Sequence, residues 1–206
     1  METWKKLALG GSAALVLLAV FKKKPVATST TKPKKMNAKD FYIKFHPSAL
    51  ESEKATGVPA LSTLAQAAVE SRYGEAAPGN MYFGIKANSA WKGQTQLLLT
   101  WECGATGDPK KDNITDQIVK IFPPNTPGAP CKKKYSYRVR AKFRKYATPA
   151  ESFIDHGNFL KNNKRYAAAF KTKDVNKFID EIAKAGYATD PNYAAVLKST
   201  VKNFTV

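Results

Sequence analysis

The sequence predicts an α+β domain, mostly helical with a small β-region, and three observations carry that expectation. Leu61, Leu64, Ala65, Ala68 and Val69 recur at the spacing of one helical face. Tyr135, Tyr137, Val139, Ala141 and Phe143 instead alternate with Ser136, Arg138, Arg140, Lys142 and Arg144, which is the period of a half-buried strand. Helical patterns stand before and after that β-region, so strands and helices are segregated as in an α+β fold. With 206 residues, 43% of them apolar, the chain has room for one domain with a buried core plus an appendage, and wholesale disorder is excluded.

In chain order, residues 7–21 form an uncharged run with Lys5 and Lys6 before it and Lys22, Lys23 and Lys24 after it. At 1.5 Å per residue it reaches about 22 Å, short of a roughly 30 Å hydrocarbon core unless flanking lysines snorkel. No small-residue cleavage site follows, so residues 1–24 read as a membrane anchor built on a short hydrophobic helix, or as an uncleaved signal-like segment. Lysines outnumber on the carboxyl side of the run, which would keep the following domain cytoplasmic and conflicts with export. Residues 25–36, rich in Pro, Thr, Ser and Lys, read as an extended linker. The domain itself occupies residues 37–206.

Within it, residues 47–56 suit a short helix ended by Gly57, and Pro59 suits the first position of the next. Gly74 is the expected stop of that second helix. On its wheel Gln66 and Glu70 fall about 140° and about 180° from Leu61, away from the apolar stripe. Strand character at 95–103 and 135–144 brackets a loop at 104–130, rich in Pro, Gly, Asp and Asn, that reads as a flap. Thr148 and Glu151, with Pro149 between, form a capping box; Asp174 caps a helix with Val175, Phe178, Ile179 and Ile182 on one face. Asp190 and Pro191 start the last helix, with Tyr193, Val196, Leu197 and Phe204 on its stripe.

The charge is +18, from 34 basic and 16 acidic residues, and the first 36 residues hold only eight of the lysines, so the folded part is itself strongly basic. Such a surface is drawn to a polyanion: nucleic acid, anionic lipid or an acidic wall polymer. No nucleic-acid-binding module is visible, so a nucleic-acid partner is not expected. Two Cys and two His show no metal-ligand spacing, and neither metal nor cofactor is implied. Cys103 and Cys131 bracket the flap. In an oxidising compartment their bridge would contribute about 3 to 4 kcal/mol, and as thiols they would be two small apolar residues.

Three strings now bear on function: Thr56-Gly57-Val58-Pro59-Ala60, then Ala65-Gln66 through Glu70-Ser71-Arg72-Tyr73-Gly74, then Gly79-Asn80-Met81-Tyr82-Phe83-Gly84-Ile85-Lys86. With Trp91, Thr100-Trp101-Glu102, Phe143-Arg144-Lys145-Tyr146, Ser152 to His156 and Ala185 to Pro191, they resemble family 73 of the glycoside hydrolases. That is the endo-beta-N-acetylglucosaminidase group of flagellar muramidases, autolysins and phage lysins. The resemblance implies a lysozyme-like fold and cleavage of the β-1,4 bond after N-acetylglucosamine in peptidoglycan. The chain departs from the pattern in having Ser71-Arg72-Tyr73-Gly74 after the acid, Asn80-Met81 where a paired Asn is common, and an enlarged 103–131 segment.

The resemblance makes Glu70 the catalytic acid, Glu102 the candidate base and Tyr187 a cleft residue near the reacting sugar. A place at the end of a helix supports Glu70 independently, because the negative end of the helix dipole disfavours a carboxylate. A carboxyl still protonated near neutrality can donate to the departing sugar oxygen. Glu102 has a competing reading as a cross-strand ion-pair partner, with Asp108, Asp112 and Asp116 as weaker substitutes; Tyr187 has one as a packing residue. Gln66, Asn80, Phe83, Lys86 and Trp91 are candidates for the floor and wall of a sugar groove, or for the core. His46 and His156 read as structural. The expected setting is membrane-anchored, through residues 7–21, acting on the wall in a bacterial envelope or a phage virion. The alternatives are a lytic transglycosylase and a non-catalytic protein binding wall or nucleic acid.

Overall fold

The computed structural model describes residues 36–204. The hydrophobic run at 7–21 and nearly all of the linker lie outside them, and among the described residues no helix is long and apolar enough to cross a membrane. Among the described residues, five α-helices pack on one another beside a three-stranded antiparallel sheet.

Helix α1 (Ala38–Thr56) begins well before Pro47, which sits inside it. Asn37 caps it, its side chain accepting from the Asp40 N–H at 2.8 Å. An interior proline removes a hydrogen bond and crowds the preceding turn. Here burial of Phe41, Phe45 and Ala49 on one face overrides that cost. Gly57 ends the helix as expected, at φ 83°, its N–H bonded to the Glu53 carbonyl at 2.8 Å. Helix α2 (Ala60–Ser71) has Pro59 as its cap rather than its first residue, and it ends before Gly74. Arg72, Tyr73 and Gly74 are all left-handed, at φ 53°, 56° and 86°, so the chain turns sharply right after Glu70. Ser71 braces the turn, its hydroxyl accepting from the Gly74 N–H at 2.8 Å.

The wheel reading of α2 needs correction. Residues Ser62 to Ala68 are all buried, including Gln66, whereas Leu61 and Val69 are only half-buried. The helix is central, packed by α1 and by the two carboxyl-terminal helices, so it has no solvent face opposite the stripe. Helix α3 (Pro149–Asn162) packs on α1 so closely that a Cβ at Gly157 would lie 2.5 Å from Thr56 Oγ1. Thr148 caps α3 through the Glu151 N–H at 3.2 Å, but the Glu151 carboxylate reaches back to the Ala147 N–H, one residue short of a capping box.

Strands β1 (Thr95–Gly104), β2 (Gln117–Phe122) and β3 (Tyr135–Arg144) lie in the order β1-β3-β2. β2 lies within the segment expected as an unstructured flap. A register shift between Ile118 and Lys120 breaks its alternation, which hid it from a period-2 reading. Asp112 orders the rest of the flap by accepting from the N–H groups of Ala105, Thr106 and Gly107 and from the Tyr137 hydroxyl. Cys103 and Cys131 are bonded to each other, closing the segment across a sequence separation of 28. Arg144 joins the sheet to α3 through Asp155 at 2.7 Å. Helix α4 (Val175–Lys184) is capped by Asp174 and buries Phe178, Ile179 and Ile182. Helix α5 (Tyr193–Lys202) buries Tyr193 and Leu197 but leaves Val196 42% exposed, off the core stripe.

Candidate active site

Glu70 lies in the last turn of α2, where the carbonyl end of the helix already opposes a negative charge. Burial pushes its carboxyl up to about 7, partly opposed by a hydrogen bond from Tyr193. The Tyr193 hydroxyl, from the first turn of α5, donates to Glu70 Oε1 at 3.2 Å and accepts from Gln66 Nε2 at 3.1 Å. Gln66 is therefore a buried brace for that hydroxyl, one turn before the acid on the same helix.

Tyr187 belongs to the same cluster. Its ring stacks on Tyr193 with centroids 5.6 Å apart, and its hydroxyl lies 3.1 Å from His156 Nε2. Burial pushes the Tyr187 hydroxyl well above its ordinary range, with Tyr193 and Glu70 adding to the effect. His156 is fully buried, stacks on Phe83 at 3.8 Å, and is pushed by burial down to about 3, so it is a neutral imidazole at working pH. Phe83, a candidate groove wall, is 1% exposed beneath that imidazole and supports the cluster from the core side.

A second cluster forms on the sheet. Glu102 of β1 pairs with Lys86, and Lys86 also holds Asp116 at 2.7 Å. The ammonium is partly buried, which opposes its charge, but the two carboxylates more than offset this and hold it above its ordinary range. These three residues, with Asn88, Asn113 and Thr115, line a cavity of about 300 Å³. The ion-pair geometry expected as the competing reading of Glu102 is thus present. Asp112, by contrast, is spent on loop N–H groups and Tyr137.

Two other candidates are built into the frame. Asn80, at φ 56°, donates its side-chain N–H groups to the Tyr146 and Ala147 carbonyls at 3.1 and 2.9 Å. Trp91 is half-buried, donates to the Gln94 carbonyl at 2.9 Å and lies under the Arg144 guanidinium at 4.5 Å. Sequence reasoning missed Tyr193 as the partner of Glu70. The signal was its hydroxyl, which a purely apolar stripe position would not need. Among the described residues no group of His, Cys, Asp or Glu is placed to hold a metal ion.

A helical lobe, a small antiparallel sheet and a carboxyl that burial raises to about 7 at the end of a central helix define a lysozyme-like glycoside hydrolase domain. Residues 46–205 match the family model for mannosyl-glycoprotein endo-beta-N-acetylglucosaminidase, and the chain belongs to that family. The peptidoglycan hydrolase FlgJ of Salmonella typhimurium is 32% identical over 182 residues, covering 84% of this chain and 48% of the relative. The exo-glucosaminidase LytG of Bacillus subtilis is 32% identical over 160 residues, covering 74% and 46%. The chain spans about half the length of the curated relatives it matches. Its fold matches the glycoside hydrolase domain of Salmonella typhimurium FlgJ with a TM-score of 0.60 at 29% identity, covering 82% of this chain and 89% of that one.

Proposed function

We propose that this chain hydrolyses the β-1,4 glycosidic bond after N-acetylglucosamine in peptidoglycan, with Glu70 as general acid. The observation that carries the reading is the Glu70 carboxyl, raised to about 7 by burial and held by Tyr193. Glu70 gives its proton to the departing sugar oxygen as the bond to the anomeric carbon breaks. Water then adds its hydroxyl to that carbon and loses its other proton to Glu102, which approaches from the sheet once substrate displaces Lys86. Tyr187, stacked on the Tyr193 that holds Glu70, is suited to hold the 2-acetamido group of the reacting sugar. A second carboxylate that activates water, rather than attacking the anomeric carbon itself, corresponds to inversion. The names of FlgJ and LytG, a peptidoglycan hydrolase and an exo-glucosaminidase, support the substrate class.

The test is product analysis on purified peptidoglycan. Internal cuts leaving reducing N-acetylglucosamine ends, lost in Glu70→Gln, are the expected outcome. The engagement of Glu102 by Lys86 favours one competing reading, a transglycosylase that works with Glu70 alone and leaves an anhydro-sugar end one water lighter. Release of single terminal sugars would instead mark exo action. The proposal includes a membrane tether at residues 7–21, supported by their uncharged sequence, holding the enzyme at a bacterial envelope or a lipid-containing phage particle. The full chain should enter a detergent phase, and Leu17→Asp with Leu18→Asp should keep it in water.

A further inference from the structure

The pairing of β1 with β3 sorts the sheet into two faces. Leu98 lies opposite Ala141, Thr100 opposite Val139 and Glu102 opposite Tyr137, and this face turns to the core and the Lys86 cavity. Leu97 opposite Lys142, Leu99 opposite Arg140 and Trp101 opposite Arg138 make up the other face, because cross-strand partners share a side and successive residues alternate. On that outer face Leu97 is 60% exposed and Leu99 39% exposed, in line with a half-buried Trp101. Trp101 packs against Phe122 of β2 at 5.2 Å under Arg138, and Lys120 lies over Phe122 at 5.0 Å. Arg140 and Lys142 are exposed, and so are Lys132, Lys133 and Lys134, which the Cys103–Cys131 bond draws to the same end of β1. β2 and β3 contain no acidic residue.

The surface is therefore an apolar row flanked by a cationic one, on the side of the sheet away from Glu102. We infer that this outer face seats the domain on an anionic lipid bilayer, with Leu97, Leu99 and Trp101 entering the headgroup boundary and Lys120 and Arg140 meeting lipid phosphates. Side chains of this kind divide naturally between an acyl boundary and an anionic headgroup layer. An acidic wall polymer would satisfy the cations but leave the two leucines and the indole in water. A second copy docked by the same face would bring basic rows against each other. The inference is independent of which bond the active site cleaves, and it leaves the Glu102 side of the sheet open.

The test uses the full chain carrying benzoylphenylalanine in place of Leu99, or of Ile43, which is 63% exposed on α1. Irradiation with phosphatidylglycerol vesicles, in the presence of peptidoglycan, should join lipid to position 99 about tenfold more than to position 43. Capture should fall about tenfold on phosphatidylcholine vesicles, and also as salt rises, since screening shortens to about 3 Å at 1 M. Lys120→Gln with Arg140→Gln should lower capture at 99 several-fold while peptidoglycan hydrolysis is retained. Equal capture at the two positions, insensitivity to salt or lipid charge, or preferential capture of glycan or of a second copy overturns the inference.

Discussion

The Tyr193 hydroxyl ties the acid to its own helix: it donates to Glu70 Oε1 at 3.2 Å while accepting from Gln66 Nε2 at 3.1 Å. A donor aimed at a carboxylate favours the ionised form and burial favours the acid, and burial wins here, leaving Glu70 at about 7. Tyr193→Phe removes the opposing hydrogen bond. The alkaline limb of kcat/KM should therefore move to higher pH, while the Gln66 amide, left without its acceptor, costs about 1 to 3 kcal/mol of stability. An alkaline limb unmoved or moved down would show that Glu70 does not set it.

Glu70→Gln should abolish most hydrolysis, by about 10²- to 10⁴-fold, the usual contribution of a general acid. Its effect on stability has the opposite sign and a defined pH window. The folded carboxyl holds its proton up to about 7 and the unfolded one only to 4.5, so wild-type stability from this group is present below 4.5 and lost as pH rises through 7. The shift corresponds to about 3 kcal/mol, an upper figure because the side chain keeps partial access to water. Denaturant titrations at pH 5 and pH 9 should show the variant gaining on wild type at the higher pH. A constant difference would mean that Glu70 titrates normally.

Much of this architecture was legible in the chain. The β3 alternation, the Gly57 stop, the Asp174 cap and the Glu70 position at a helix end are all local patterns read at their true places. What failed was non-local. Pro47 reads as a helix start unless Phe41 and Phe45 are known to be buried against other elements. The wheel of α2 cannot show that α5 covers the side opposite Leu61, and so it left Gln66 facing water. β2 is short and broken by its register shift, and only pairing with β3 reveals it. The partnership of Tyr193 with Glu70 spans 123 positions in sequence, beyond any motif spacing.

Asp155 of α3 takes the Arg144 guanidinium at 2.7 Å and the Tyr146 hydroxyl at 2.6 Å, so one carboxylate secures the sheet to the helical lobe. Removing one partner of a largely buried pair leaves the other uncompensated. Asp155→Ala should cost about 3 kcal/mol, read as a lower denaturation midpoint at unchanged slope. A loss under about 1 kcal/mol would class the pair with exposed salt bridges.

Lys86 separates two carboxylates, Glu102 and Asp116. Lys86→Met leaves two carboxylates facing each other across the cavity with no cation between them. Stability should change by only about 1 kcal/mol, because the residues are partly exposed. Glu102→Gln should lower turnover more than tenfold at neutral pH, and a change within twofold would remove Glu102 from the chemistry.

The bond between Cys103 and Cys131 changes what a proteolytic cut does to the molecule. The segment it closes carries exposed lysines at 110 and 111 in its loop, each a natural point of attack for trypsin-like proteases. A single cut there severs the chain but not the protein. β1 stays covalently joined to the segment leading into β3, and β1 and β3 stay paired along their length. A nicked molecule should therefore run as one species until a reductant is added.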